Sequence, residues 1–248
     1  MNEKNIVVNT LVFLKNLNDG LAQSELLKPV YDLEVNNIEI RREYIKDFDN
    51  ELKRIKELSE DLNMTIYYSV PEVIYDNGQL NKKQIEKYFN EANKMNCNKV
   101  KLNIGKYNEI SQDDVKEINN LIDKYSINLT IENDQTELCG KVNYIKDFLE
   151  GAKALGMKIS FTFDIGNWIW QKEDPIKNAY ILKHYVTYIH LKDVHIDNTP
   201  KTSFLDEGDI DWRRIINIFN EDIPIALEYP CENTMTNLKK EIGKLKRA

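Results

Sequence analysis

The feature that most limits the fold is an alternation of two kinds of segment along the chain. Short β-branched runs recur, each followed by a longer amphipathic stretch. The strand-like runs are Ile6-Val7-Val8, Asn37-Ile38-Glu39-Ile40, Met64-Thr65-Ile66-Tyr67-Tyr68 and Lys99-Val100-Lys101-Leu102. Four more follow: Asn128-Leu129-Thr130-Ile131, Ile159-Ser160-Phe161-Thr162-Phe163, Thr187-Tyr188-Ile189-His190 and Ile223-Pro224-Ile225-Ala226-Leu227. Between them, apolar residues fall three or four apart: Leu52, Ile55, Leu58 and Leu62; Ile85, Phe89, Ala92 and Met95; Val115, Ile118, Ile122 and Tyr125. That spacing is the period of a helix with one buried face. Ser111 stands three residues before Asp114, the pattern of a helix cap at the start of the third stretch.

Strands alternating with helices predict a parallel sheet. Eight units in 248 residues average 31 each, against roughly 30 for one β/α unit and about 250 for a barrel of eight. The expected fold is α/β, a single (β/α)8 TIM barrel. An open doubly wound sheet is the alternative, but it usually announces itself by an early GxGxxG turn, and none occurs. Nine Gly and six Pro are scattered without a low-complexity linker, so residues 1–248 are expected to form one domain.

In such barrels the chemistry sits at the C-terminal ends of the strands. Strands five to eight run into Glu132-Asn133, Asp164-Ile165-Gly166-Asn167, His190-Leu191-Lys192-Asp193 and Glu228-Tyr229-Pro230. Glu132, Asp164, His190 and Glu228 are spaced 32, 26 and 38 residues apart, about one unit each. A lone carboxylate at a strand end is commonly a solvated loop residue; four metal-capable side chains on consecutive strands would converge at one mouth. Three carboxylates and one imidazole form an oxygen-rich site suited to Mn²⁺, Mg²⁺ or Co²⁺, with Zn²⁺ also accommodated.

These residues carry a resemblance. The segments Ile131-Glu132-Asn133, Phe163-Asp164-Ile165-Gly166-Asn167, Ile189-His190-Leu191-Lys192-Asp193, Glu207-Gly208-Asp209-Ile210-Asp211-Trp212 and Leu227-Glu228 resemble the xylose-isomerase-like TIM-barrel superfamily. That superfamily holds sugar and sugar-phosphate isomerases and epimerases, inosose dehydratases and apurinic endonucleases. The resemblance implies that Glu132, Asp164, His190 and Glu228 bind one divalent metal. It also implies that Glu132 and Glu228 act as the acid/base pair on a small carbohydrate; relatives often associate, which leaves a homo-oligomer open. The chemistry is coherent: moving a carbonyl or inverting its neighbouring carbon removes a weakly acidic α-proton through a cis-enediolate. A divalent cation stabilises that species as a Lewis acid, and a carboxylate on each face moves the proton. A dehydratase-like lyase would begin with the same step, and a non-catalytic sugar-binding protein would share the fold.

Other classes are disfavoured. With 34 Lys+Arg against 41 Asp+Glu the chain is acidic, at −7, a poor match for a phosphate backbone. Its three His (His184, His190, His195) cannot supply the imidazole-rich trinuclear zinc site of the endonuclease members. Strand three, ending Tyr67-Tyr68-Ser69-Val70-Pro71, lacks their His. The stretch His195-Ile196-Asp197-Asn198-Thr199-Pro200-Lys201 lacks the Arg that several epimerases carry there. Cys97, Cys139 and Cys231 form no CxxC, so reduced thiols and a cytoplasmic location are expected. The start shows no signal-peptide pattern, and no apolar run reaches the ~18 residues of a membrane span.

Around the centre, Trp168, Trp170 and Phe13 are candidates to lie against a sugar, or else simply pack loops. Lys101, Asn103 and His195 are candidates for substrate contact. Glu39, Arg41 and Glu43 share one strand face and could form an inward charge network, with Glu39 as a structural ion pair. Asp193 could orient His190 or bind Lys192. His184 falls in a helix-like stretch. Asp209 and Asp211 read as a helix start before Trp212 rather than as metal ligands.

Overall fold

The structure, a computed structural model, describes residues 5–196, 199–231 and 233–248. Met1–Lys4, on which the signal-peptide reading falls, and Asp197 and Asn198 of the loop without the Arg lie outside the described residues.

Eight parallel strands close on themselves: β1 (Ile6–Asn9), β2 (Asn37–Arg41), β3 (Thr65–Asp76), β4 (Lys99–Gly105), β5 (Asn128–Glu132), β6 (Ile159–Asp164), β7 (Val186–Leu191) and β8 (Ile225–Leu227). Each pairs with the next, and β8 returns to β1 through Ile6–Ile225, Val7–Ala226 and Val8–Leu227. Closure removes every sheet edge from the barrel. Two short helices, α1 (Leu14–Asn18) and α2 (Leu27–Tyr31), follow β1. One helix follows each later strand: α3 (Phe48–Asp61), α4 (Lys82–Lys94), α5 (Gln112–Tyr125), α6 (Val142–Ala154), α7 (Pro175–Leu182), α8 (Trp212–Ile216) and α9 (Thr234–Lys246). The architecture is the expected (β/α)8 barrel. Among the described residues no helix is long and apolar enough to cross a membrane, and the three cysteines are free and buried.

Local chemistry accounts for the elements. At the start of α5, Ser111 Oγ accepts from the Asp114 backbone N–H and Asp114 Oδ2 accepts from that of Ser111, each at 3.1 Å. The reciprocal bonds satisfy two otherwise orphaned donors. Val115, Ile118, Leu121 and Ile122 then bury one face of the helix. Asp211 caps α8 by accepting from the Arg214 N–H, as its position predicts.

Two elements differ from the sequence reading. β3 runs on to Asp76 instead of stopping near Tyr68, passing Pro71 through a register shift between Ser69 and Val73. The irregularity is where a residue without an N–H can sit in a strand. α7 ends at Leu182, so His184 is an exposed turn residue and not helical.

Strand alternation divides the core. Val8, Ile38, Ile40, Leu102, Ile131, Phe163 and Ile189 point outward into the large cluster under the helices. Val7, Tyr67, Tyr188 and Ala226 form a separate small cluster inside the barrel. Above that inner cluster, toward the C-terminal strand ends, the interior turns polar: Asn9, Glu39, Lys101, Glu132, Asp164, His190 and Glu228 are all buried.

Candidate metal centre

Glu132 ends β5, Asp164 ends β6, His190 is the penultimate residue of β7, and Glu228 follows β8 directly. The registers Asp164–His190 and Ala226–His190 hold three of these strands level. One ligand atom from each of the four side chains lies within 4.8 Å of the others. All four are buried, at 5% exposure or less.

The donor set passes a test of fit for a cation. Glu132 Oε1, Asp164 Oδ2 and His190 Nδ1 are buried and make no hydrogen bond. Charged neighbours approach closely, with His190 Nδ1 2.5 Å from Glu132 Oε1 and Lys192 Nζ 2.6 Å from Asp164 Oδ2. Their directions are wrong for hydrogen bonds. Buried lone pairs without donors are costly, and a cation among them would satisfy all three at once.

The imidazole is held from behind. Its Nε2 lies 2.9 Å from Glu39 Oε2, and Glu39 also accepts from Asn9 Nδ2 at 2.8 Å and the Tyr188 hydroxyl at 3.0 Å. With Nε2–H donating to Glu39, the Nδ1 lone pair faces Glu132 and Glu228, the tautomer a metal ligand requires. Sequence reasoning placed Glu39 as a structural ion pair; its particular partner depends on barrel closure. Asp193, suspected of this role, does something else. Its carboxylate accepts from the backbone N–H groups of Val194, Asp206, Gly208 and Ile210 and so fastens the following loop. Asp209 holds the Ile196 N–H in the same region.

Three permanent cations balance the carboxylates. Lys101 Nζ lies 2.6 Å from Glu132 Oε2. Arg41 Nη1 lies 2.6 Å from Glu228 Oε1 and its Nε 2.7 Å from Glu43, a charge network beside the centre in which Glu43 belongs to the 3-10 turn Arg42–Tyr44 after β2 and not to the strand face. Lys192 reaches both Asp164 and Glu228, the latter at 3.3 Å. Burial pushes Glu132 upward, but Lys101 and then His190 outweigh it and hold its carboxyl at about 2. Glu228 is likewise held down, with His190 and Lys192 overcoming burial. Asp164 moves the other way: burial raises it, Lys192 opposes, and Glu228 and Glu132 add to the rise. Burial disfavours the charged form of His190, yet Glu228, Glu39 and Glu132 raise its pKa above the ordinary value.

The motif residues around the ligands stitch the strand ends together. Asn133 exchanges hydrogen bonds with the Asp164 backbone, accepting from its N–H and donating to its carbonyl, each at 2.9 Å. Asn167 Nδ2 donates to the Asn133 carbonyl, while its N–H donates to Asp164 Oδ1. Gly166 leaves room for Lys192: a Cβ there would lie 2.5 Å from Lys192 Cγ.

The remaining candidates are distributed as follows. Trp168 is fully buried against Phe163, with ring centroids 5.5 Å apart, and Trp170 packs half-buried on the same core. Phe13 is a core residue too. His195 is exposed, 3.9 Å from Asp209. Asn103 is level with Glu132 and presents a buried Oδ1 without a partner. Ser69, level with Arg41 and Lys101, has a buried Oγ in the same condition. Sequence reasoning missed Ser69, whose only signal was its place one period beyond Tyr67 on the inward face.

A closed (β/α)8 barrel with a buried carboxylate–imidazole cluster at the ends of its last four strands defines the class. The profile of the xylose isomerase-like TIM barrel family matches residues 16–248, and the chain belongs to that family. No curated protein matches the sequence significantly. Solved structures share the fold at low identity. The probable 3-DHS dehydratase AsbF involved in petrobactin synthesis from Bacillus anthracis superposes with TM-score 0.73 at 15% identity, covering 98% of each chain. D-allulose 3-epimerase from Methylomonas sp. gives 0.71 at 12%, covering 98% of this chain and 96% of its own. The IOLI protein with a bound zinc atom gives 0.69 at 12%, covering 98% and 95%.

Proposed function

We propose that the protein is a divalent-metal-dependent isomerase or epimerase of a sugar, sugar phosphate or keto-acid, with Glu132 and Glu228 as its acid/base pair. The observation that carries this reading is the convergence of Glu132, Asp164, His190 and Glu228 within 4.8 Å, with three of their ligand atoms lacking hydrogen bonds. These four would hold the ion. When bound, a divalent cation supplies Lewis-acid stabilisation to negative charge developing on substrate oxygens.

The protein groups account for the rest. Glu132 and Glu228 come from the two outer strands of the four, bracketing Asp164 and His190, so they can address a substrate carbon from opposite sides. Lys101 fixes one and Arg41 the other, so each enters as an oriented carboxylate able to take and return an α-proton. Ser69 and Asn103 offer unspent buried polar atoms for substrate hydroxyls. Family membership and the fold shared with a D-allulose 3-epimerase support the same class.

One feature favours a second reading, an inosose dehydratase-like lyase. The Lys192 ammonium stands beside both Asp164 and Glu228. It can deliver a proton to a departing hydroxyl, which epimerisation does not need. The fold shared with a probable dehydratase points the same way.

The test is a panel of ketoses, keto-acids and inososes in D₂O with metal supplied, followed by NMR. Deuterium entering the α-position without a new double bond supports the isomerase or epimerase, and an unsaturated product supports the lyase. Glu132→Gln and Glu228→Gln should abolish exchange with the fold intact. Protein that takes up none of Mn²⁺, Co²⁺, Mg²⁺ or Zn²⁺ refutes the metal assignment.

A further inference from the structure

The opposite end of the barrel is hollow. TIM-barrel interiors are normally filled by layers of bulky branched side chains. Here the layer at the N-terminal strand ends is built from Lys99, Asn128, Ser160, Thr187 and Pro224, which are polar or small. Below the Tyr67–Tyr188 pair this leaves a cavity of about 310 Å³. It is the size of a small-ligand site and lies on the far side of Glu39 and Lys101 from the metal centre.

Its chemistry is polarised. Tyr67 and Tyr188, stacked with centroids 4.9 Å apart, line it together with Pro224 and make its body largely apolar. The charged groups at its floor are spent: Glu39 on Asn9, Tyr188 and His190, and Lys101 on Glu132. The mouth is different. Lys99 is half-exposed there, with its Nζ 4.9 Å from the Tyr67 ring centroid and no carboxylate partner among the described residues. The Ser160 and Thr187 hydroxyls, 2.8 Å apart, stand on the same rim. A single ammonium with two hydroxyls balances a monoanion, and the aromatic body accepts a ring.

We propose that this N-terminal cavity is a second ligand site, which takes a small ring-bearing carboxylate with its anionic head at Lys99 and its ring beside Tyr67 and Tyr188. The site does not depend on the metal centre or on the proposed reaction. It does share a wall with them, because Tyr188 and Glu39 touch the bound molecule on one side and His190 on the other.

The probe is benzoate, titrated by calorimetry and by saturation-transfer NMR into full-length protein, both metal-loaded and chelator-treated. Saturable binding is expected in both forms, with benzamide weaker because it lacks the charge. Lys99→Met should weaken benzoate by roughly tenfold to a hundredfold, the worth of a charge-assisted contact. Thr187→Trp, at an exposed rim position, should block entry. Circular dichroism checks that both variants fold. Absence of saturable binding overturns the proposal. So does binding that neither substitution alters, or binding that requires the metal, which would place the carboxylate at the other end of the barrel.

Discussion

Replacing Asp193 by alanine tests what the residue after Lys192 does. Its side chain is fully buried, and four backbone N–H groups converge on it at 2.8 to 3.1 Å. Two of these donors, on Val194 and Ile210, are in buried bonds; those on Asp206 and Gly208 are half-buried and can regain water. A buried donor left unpaired costs about 1–3 kcal/mol, so Asp193→Ala should cost about 2–6 kcal/mol in total. That is a large part of the ~5–15 kcal/mol margin of a folded protein. At roughly 2–4 °C per kcal/mol for a chain of this size, Tm should fall on the order of 10 °C. Asp193→Asn keeps one acceptor oxygen and should lose less. Gly208→Ala should reproduce the loss, since its Cβ would lie 2.2 Å from Asp193 Oδ1. The measurement is thermal unfolding followed by circular dichroism, beside a Co²⁺ titration. An unchanged Tm with weakened metal binding would refute the loop-fastening account and return Asp193 to the imidazole.

Three further outcomes are expected. Glu39→Gln should weaken metal binding by roughly tenfold to a hundredfold, as removal of a ligand's orienting partner does; an unchanged Co²⁺ spectrum and affinity would show that Glu39 does not set His190. Metal affinity should fall as pH is lowered through the neutral range. The raised pKa of His190 leaves a proton that the ion must displace, and calorimetry in two buffers of different ionisation heat would read its release. Trp168→Ala should cost about 3–5 kcal/mol as a large-to-small core change. Trp168→Phe should cost less and leave KM unchanged, and a KM shift at constant stability would instead make Trp168 a substrate contact.

Much of the fold was legible because its signals are local. Eight β-branched runs and the three-and-four spacing between them report which face of each segment is buried, a property settled by neighbours a few residues away. The four ligand candidates were legible for the same reason: each lies within one residue of the C-terminal end of its own strand, and the barrel topology does the converging. The extended β3 was not, since Pro71 reads as a stop and only the irregular pairing with β4 lets the strand continue. Asp193 was misread because its nearness in sequence to His190 suggested a partner, whereas residues an odd number apart along an extended chain face opposite ways.

By itself, then, the sequence determined the repeating unit, the closure number and the side chains offered at the strand ends. The tertiary structure decided what those side chains meet. Glu39 and His190 are 151 residues apart, and Arg41 and Glu228 are 187 apart. No periodicity relates such residues. They touch because β8 returns to β1 and carries the last strands against the first. The hollow N-terminal end was decided the same way, since each small or polar residue there is ordinary in its own strand. Only the ring of strands turns them into a missing layer.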